Sequence, residues 1–111
     1  MLGEAPLVET TLVRAMQRPS DALKRHKDVV VARLAAAGAT NLRLFGSVAS
    51  GLDTPLSDID LLYDPGPETT AFAISAVRMD IEKILGFSVD LVSARAVPPR
   101  KQGIISQAVP L

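Results

Sequence analysis

One stretch of the chain carries most of the information about its fold: residues 45–62 read FGSVASGLDTPLSDIDLL. A short apolar run ends at Phe45, Gly46-Ser47 interrupts it, and a polar loop leads to a second apolar run that begins near Asp58. Alternating or continuous apolar residues in short runs are typical of strands, and glycine marks a turn. The stretch therefore predicts two strands joined by a glycine-containing turn and a polar loop.

The second of these strands carries two carboxylates. Residues two apart in a strand lie on one face, roughly 6.6–7 Å apart, so Asp58 and Asp60 should project together while Ile59 and Leu61 face the other way. Like charges beside a buried strand repel each other. A divalent cation between them would remove that cost, and Mg²⁺ prefers such hard oxygen ligands. Taken alone, however, Asp-x-Asp is more often a solvated strand end.

A third acidic residue favours a metal site over a solvated strand end. Asp90 interrupts the apolar run from Val89 to Val92, which predicts a third strand. An unpaired carboxylate is expensive to bury, so Asp90 should face a cavity, an ion or a partner. If the third strand lies beside the second, Asp90 joins Asp58 and Asp60, and three carboxylates on adjacent strands can hold two Mg²⁺ ions. The competing interpretation is an edge-strand Asp that pairs with a nearby Arg.

Gly46 and Ser47 provide groups that can bind phosphate. Glycine lets the backbone approach a ligand closely, and the N–H groups that follow it, together with the Ser47 hydroxyl, can donate to phosphate oxygens. Gly51 would then let the loop close behind a triphosphate. A bare Gly-Ser is usually a plain strand-to-helix turn, so the motif gains weight only beside the three carboxylates.

The rest of the chain adds helices around these strands. Ser20-Asp21 is typical of a helix start, and Gly38 and Gly86 are typical of helix ends. The predicted elements are a helix over 21–37, strands over 42–45 and 58–63, a helix from 69 or 70 to 85, a strand over 87–92 and a short helix that begins at 98–99. We therefore predict an α/β (α+β) fold in which helices cover a small mixed sheet of three or more strands.

Composition narrows the class of protein. The chain has 111 residues, enough for one domain. Its 12 basic residues balance 12 acidic ones, which argues against direct nucleic-acid binding and suits a chain that works within a complex. It has no cysteine, no apolar run of the ~18–20 residues that span a bilayer, and no signal-peptide pattern, so we expect a cytoplasmic protein without a membrane partner.

Taken together, these motifs closely resemble the minimal nucleotidyltransferase (MNT) family of the polymerase-β-like nucleotidyltransferase superfamily. That family has Gly-Ser, a short loop, Asp-x-Asp and a third Asp on a later strand. The matching segments are Phe45-Gly46-Ser47, Gly51, residues 57–62 and residues 89–92. The resemblance covers about residues 18–111, which we take as the domain. Residues 1–17 predict only a poorly specified extension, with Met1 and Met16 as alternative starts.

The resemblance implies roles for these residues. Gly46, Ser47 and Gly51 would bind a nucleotide triphosphate such as ATP, while Asp58, Asp60 and Asp90 would be the catalytic and Mg²⁺-binding residues. The reaction would transfer a nucleoside monophosphate from the nucleotide to a hydroxyl group and release pyrophosphate. Members of the family are commonly antitoxins that pair with a helical HEPN-type toxin, and some are thought to transfer AMP from ATP to a toxin tyrosine.

Two hypotheses follow for this chain. It is either a nucleotidyltransferase that modifies a partner protein, or an antitoxin that neutralises its toxin by binding alone. In both, a hetero-oligomer is expected, and the last helix with Ile104 and Ile105, followed by 109–111, is the candidate apolar contact surface. One departure bears on nucleotide affinity. Many relatives have Arg at the position of Ser50, where a guanidinium could neutralise phosphate charge; the candidate substitutes are Arg43, Arg95, Arg100 and Lys101.

Overall fold

The first long helix of the fold, α1, spans Pro19–Ala36. The computed structural model describes residues 17–111, so nearly all of the predicted extension over 1–17 lies outside the described residues. Proline suits the first helical position because its missing N–H is not needed there, and Asp21 accepts a hydrogen bond from the Arg18 N–H at 3.2 Å. The sequence indicated a helix start at Ser20-Asp21 with Ser20 as a cap type, whereas Arg18 is the N-cap and Ser20 is the second residue of the helix.

Four strands form one mixed sheet within the described residues. This confirms the predicted α/β fold with a mixed sheet, and it adds one strand to the three that were assigned from the sequence. They are β1 (Thr40–Phe45), β2 (Ile59–Asp64), β3 (Val89–Ser93) and β4 (Val109–Pro110), in the spatial order β3-β2-β1-β4. β1 is antiparallel to both β2 and β4, whereas β2 and β3 are parallel. The parallel pair needs a crossover connection, which the second long helix provides.

The connections between strands contain the remaining helices. Gly46–Ser50 forms a short helix, α2, directly after β1. Ala71–Leu85 forms α3, which Thr70 caps by accepting a hydrogen bond from the Ala73 N–H at 3.0 Å. The predicted last helix is shorter than expected: two 3-10 turns, Ala94–Ala96 and Pro99–Lys101, precede a five-residue helix, α4, over Gly103–Gln107.

The hydrophobic core lies on one face of the sheet. Alternate residues of β2, namely Ile59, Leu61 and Tyr63, are buried there against α1 and α3. The helices contribute buried side chains at helical spacing: Leu23, Val30 and Leu34 from α1, and Ile74, Ile81 and Leu85 from α3. Because side chains alternate along a strand, Asp60 lies on the face opposite this core. The core thus holds β2 in place while its carboxylate stays outside.

The C-terminal segment, which the sequence proposes as an apolar contact surface, forms the edge strand of the sheet, and Val109 and Pro110 remain exposed there. Val109 pairs with Leu44, and the Leu111 N–H donates to the Leu42 carbonyl at 3.0 Å. Ile104 and Ile105 are both half-buried. Alternation was too short here to predict a strand, and Pro110 argued against one; an edge strand tolerates proline because one side of it makes no sheet hydrogen bonds. Within residues 17–111, no helix is both long and apolar enough to cross a membrane.

Candidate active site

Three chain segments meet at one end of the sheet, and each carries part of the predicted site. β1 ends where β2 begins, because the two strands are antiparallel, and β3 begins beside β2, because those two are parallel. Asp60 is therefore the register partner of Phe45 on one side and of Asp90 on the other. Paired residues on neighbouring strands point to the same face about 4.8 Å apart. The structure thus brings Asp60 and Asp90 together, as the sequence predicted on condition that the strands are adjacent.

Asp58 lies immediately before β2 and is exposed, as is Asp90, while Asp60 is half-buried. A hydrogen bond from the Ile59 N–H to the Ser88 carbonyl, 2.9 Å long, holds the entrance to β2 beside the entrance to β3. Burial raises the pKa of Asp60 above its usual value, and the negative charges of Asp90 and Asp58 raise it further. Asp60 is thus the carboxylate that is repelled by both of the other two negative charges of the site.

The donor set suits a magnesium ion in an open site. Within residues 17–111, no group of three acidic, histidine or cysteine side chains is already close enough to enclose one ion. Mg²⁺ seldom uses such a closed cage: it is usually bound by one or two carboxylates together with water and substrate phosphate oxygens. Hard, anionic and partly exposed oxygens at adjacent strand ends fit that requirement, and a cation there would relieve the repulsion at Asp60.

Gly46 is packed directly against the central carboxylate. Its φ angle of +72° lies in the left-handed region, which favours glycine. A Cβ atom at this position would overlap a carboxylate oxygen of Asp60 and lie 3.2 Å from its Cγ. The backbone conformation therefore favours glycine at residue 46, and any larger side chain there would have to displace the Asp60 carboxylate. The contact brings the start of α2 to that carboxylate.

The next residues of the motif shape α2. The Ser47 carbonyl accepts hydrogen bonds from the Ser50 hydroxyl at 3.1 Å and from the Leu52 N–H at 3.0 Å. Gly51 ends the helix with φ +77°, and a Cβ there would meet nothing within 4 Å. Beside this helix lies a cavity of about 420 Å³, lined by Phe45, Gly46, Ala49, Ser50, Ile104 and Gln107. Ile104 and Gln107 come from α4, and no sequence signal assigned either residue to this place.

Two of the candidate arginines are placed away from the site. Asp64 lies at the opposite end of β2 from Asp60, and Arg43 forms an ion pair with it at 2.5 Å. A hydrogen bond from Asn41 lowers the pKa of Asp64, and the positive charges of Arg43 and Arg95 lower it further. Arg43 and Arg95 thus serve a separate carboxylate. The structure gives no reason to assign them to phosphate binding.

A glutamate that sequence reasoning missed supports the third carboxylate. Glu82 of α3 accepts a hydrogen bond from the Val89 N–H at 2.9 Å with one oxygen, and its other oxygen accepts one from Arg78 at 3.2 Å. Val89 directly precedes Asp90, so this contact fixes the beginning of β3. Glu82 lies within a helical pattern whose exposed positions are ordinarily solvated, and for this reason the sequence did not distinguish it.

Comparisons with known proteins show the family to which the chain belongs. The family model of the nucleotidyltransferase domain matches residues 23–110. The chain therefore belongs to the nucleotidyltransferase-domain family. No curated protein sequence matches it.

Solved structures place the chain among the small members of that family. A structure described as a minimal nucleotidyltransferase is 33% identical, with a TM-score of 0.74, over 83% of this chain and 95% of its own. A chain in a toxin–antitoxin complex with AMP-PNP is 23% identical, with a TM-score of 0.64, over 73% of this chain and 68% of its own. A chain in a complex of a tri-AMPylated Shewanella oneidensis HEPN toxin with its MNT antitoxin is 19% identical, with a TM-score of 0.60, over 78% of this chain and 69% of its own. The last two likenesses show the fold.

The contact between Gly46 and Asp60 can be tested against a matched glycine. Gly46→Ala and Gly51→Ala both place alanine in a left-handed conformation, at a cost of about 1–2 kcal/mol each. Only Gly46→Ala also crowds the Asp60 carboxylate, so it should lower the free energy of unfolding by a further ~1–3 kcal/mol or force that carboxylate to turn away. Urea unfolding and Mg²⁺-dependent ATP binding measure the two effects. Equal results for both variants in both measurements would contradict the contact.

Removing the Asp60 charge should stabilise the protein. Because the folded-state pKa of Asp60 is raised, its ionised form costs stability above that pKa, and the cost disappears as the pH falls through it. Asp60→Asn should therefore be more stable than the wild type near neutral pH in EDTA, with a gain that vanishes in acid. Urea unfolding at several pH values measures it.

Asp64→Asn is a matched control on the same strand and the same face, for which we expect the opposite change in stability. The lowered pKa of Asp64 means that its charge stabilises the fold at neutral pH, and that this stabilisation is lost as the pH falls through the folded-state value. A loss of stability at neutral pH in both variants would show that Asp60 is not under electrostatic strain.

Proposed function

We propose that this protein is a Mg²⁺-dependent nucleotidyltransferase that transfers AMP from ATP to a hydroxyl group of a partner protein, as the antitoxin of a toxin–antitoxin pair. One observation carries the proposal: Asp60 and Asp90 are direct neighbours on parallel strands, and Gly46 packs against Asp60 at the same end of the sheet. A turn that could bind phosphate would then lie beside carboxylates that could bind magnesium, and this combination supports nucleotidyl transfer.

The nucleotide would lie along the start of α2. The N–H groups that follow Gly46 and the Ser47 hydroxyl would donate to phosphate oxygens, and the absence of a side chain at residue 46 lets the phosphates approach Asp60. The cavity of about 420 Å³ beside α2 leaves room for the rest of the nucleotide. Ser50 adds no positive charge there, so charge neutralisation rests on the cation.

Asp58, Asp60 and Asp90 would hold Mg²⁺. When bound, the ion neutralises charge on the phosphates and lowers the pKa of the attacking hydroxyl. Asp60 is affected by the charges of both other carboxylates and is the least exposed of the three, so it would form the shared anchor. Asp58 would serve the nucleotide side of the site, and Asp90 the side from which the acceptor approaches.

The transfer is a displacement at the α-phosphorus of ATP. The oxygen of the acceptor hydroxyl forms a bond to this phosphorus, and the bond from phosphorus to the bridging oxygen breaks, so that pyrophosphate leaves with the electron pair. The proton of the hydroxyl passes to a carboxylate oxygen of Asp90. Phosphoryl-type transfers need little covalent help from the protein, and positioning with charge neutralisation supplies most of the rate.

The acceptor would be a separate protein. The described residues form one sheet with its covering helices, and no second lobe faces the carboxylates within residues 17–111. Similar folds occur in a toxin–antitoxin complex with AMP-PNP and in a complex of a tri-AMPylated HEPN toxin with an MNT antitoxin. These neighbours support a helical HEPN-type toxin as the acceptor and a hetero-oligomer as the working form.

If ATP binds at this site, removing the negative charges of its carboxylates should abolish Mg²⁺-dependent ATP binding. Asp58→Asn combined with Asp60→Asn should abolish Mg²⁺-dependent ATP binding and leave the fold intact, because the repulsion between the two groups is relieved. Calorimetric titration with ATP in the presence and absence of Mg²⁺ measures it, with Asp64→Asn as the control on the same strand. Equal binding by the wild type and the double variant would refute the site.

Asp90 should matter more for the reaction than for binding. Asp90→Asn should keep much of the ATP affinity yet lower AMP transfer to the partner by at least about 10²-fold, the low end for removing a group that moves a proton in the transition state. Mass spectrometry of the partner after incubation with Mg²⁺-ATP detects the added AMP. Transfer by Asp90→Asn at the wild-type rate would refute the role of Asp90.

The same assay separates the two hypotheses for the chain. If the wild-type protein silences its partner but adds no nucleotide with any metal or nucleotide triphosphate, it is a binding-only antitoxin.

A further inference from the structure

The buried carboxylate of a loop residue outside the candidate site, Asp53, connects the loop that leads to the site with helix α1. Asp53 lies in the loop between α2 and β2 and is only 5% exposed. Its Oδ2 accepts a hydrogen bond of 2.9 Å from the Ser20 N–H, in the first turn of α1, 33 positions away in the chain. This N–H is one of those that a helix cannot satisfy internally. Asp53 thus joins the middle of the loop to the beginning of α1.

The electrostatic environment keeps Asp53 ionised. Burial raises its pKa, but the hydrogen bond from the Ser20 N–H, the nearby Ser20 hydroxyl and the positive charge of Arg18 outweigh burial, so the pKa lies below its usual value. The carboxylate also lies at the positive end of the α1 dipole, where a negative charge is stabilised. The charge and the hydrogen bond therefore pull the loop and the helix together.

This link has a cost that a simple helix cap would avoid. The second oxygen, Oδ1, is buried, and no group within residues 17–111 donates a hydrogen bond to it. A buried acceptor without a hydrogen-bond donor lowers the stability of the folded state. The N-terminal end of α1 already has an exposed acidic residue, Asp21, which accepts a hydrogen bond from the Arg18 N–H. The helix could be capped locally, so capping alone does not account for a buried carboxylate taken from the loop.

The loop beyond Asp53 leads without interruption to the carboxylates. The Thr54 N–H donates to the Ser57 hydroxyl and the Ser57 N–H donates to the Thr54 carbonyl, each at 2.9 Å, which makes a closed turn. Asp58 follows this turn directly, and the Ile59 N–H is then bound to the Ser88 carbonyl. The segment that presents Asp58 is therefore fixed at both ends, by Asp53 on one side and by the entrance to β3 on the other.

We propose that Asp53 is a positioning residue, which holds the loop against α1 so that Asp58 lies beside Asp60 in the geometry that the metal requires. The inference rests on the proposed function, since it concerns the presentation of a metal ligand. Asp53 itself touches neither nucleotide nor metal. It acts through the turn over 54–57, and partners that support a metal ligand in this way affect the affinity of the metal although they do not bind it.

Two variants at the same end of α1 separate positioning from general stabilisation. Asp53→Ala removes the link between loop and helix, whereas Asp21→Ala removes an acidic group from the same helix end and leaves the loop untouched. If Asp53 only stabilises α1, both variants should behave alike. If it positions the loop, only Asp53→Ala should change the site.

Two readouts on the full-length chain test this, both at a temperature where circular dichroism shows the variants folded. In Asp53→Ala, the Mg²⁺ concentration for half-maximal ATP binding should rise about 10–100-fold, the usual cost of losing a residue that supports a metal ligand, and amide hydrogen exchange should increase over residues 52–58. Asp21→Ala should leave both unchanged. Wild-type behaviour of Asp53→Ala in both readouts, or equal changes in both variants, would overturn the proposal.

Two further cases are an Asp53→Ala variant that does not fold and a wild-type chain that does not bind Mg²⁺-ATP. If Asp53→Ala does not fold, Asp53→Asn and Asp53→Glu decide: Asn keeps an acceptor at the same distance, whereas Glu keeps the charge but displaces the loop. Positioning predicts that Asn retains more of the Mg²⁺ affinity, and the reverse order would overturn it. If the wild-type chain binds no Mg²⁺-ATP, the proposed function fails, and the exchange comparison alone decides whether Asp53 holds the loop.

Discussion

The parallel pairing of β2 with β3 is the constraint on which the candidate site depends. It sets Asp60 opposite Asp90 and places two negative charges one strand spacing apart. The free energy that holds them there comes from the other face of the sheet, where Ile59 and Leu61 are fully buried against the helices. Because side chains alternate along a strand, burying these two residues forces Asp60 outward. The core therefore imposes the repulsion, and a cation can relieve it.

The groups around this pair serve to hold three separate chain segments at one end of the sheet. Gly46 allows the turn after β1 to touch Asp60. Glu82 holds the beginning of β3 through the Val89 N–H, and Asp53 ties the loop before β2 to α1. Each of these contacts joins residues that are distant in sequence or in different elements. A site built in this way is preorganised, which matters for a reaction whose rate comes from positioning and charge neutralisation.

The placement of positive charge distinguishes the two ends of β2. At the Asp64 end, Arg43 and Asn41 compensate the carboxylate. At the Asp60 end, the neighbouring charges are the acidic Asp58 and Asp90. The two aspartates lie on the same face of one strand and have pKa values shifted in opposite directions. One end of the strand is thus electrostatically satisfied within the fold, and the other carries the repulsion that the proposed cation would relieve.

The elements that depend on local pattern could be predicted from the sequence. Apolar alternation predicted β1, β2 and β3, helical spacing predicted α1 and α3, and the motif of Gly46-Ser47 with Asp58 and Asp60 indicated the family. Asp90 was assigned to the site only on the condition that its strand lies beside β2. Periodicity states which face a residue occupies, and it does not state which strands are neighbours.

The features that depend on contacts between distant segments could not be predicted from the sequence. β4 was missed because a two-residue edge strand that contains Pro110 has no periodicity, and it exists only because β1 leaves an edge to pair with. Asp53 looked like an ordinary loop residue until the fold brought the first turn of α1 to it. Its hydrogen bond spans 33 positions, and a contact of that range leaves no local pattern in the chain.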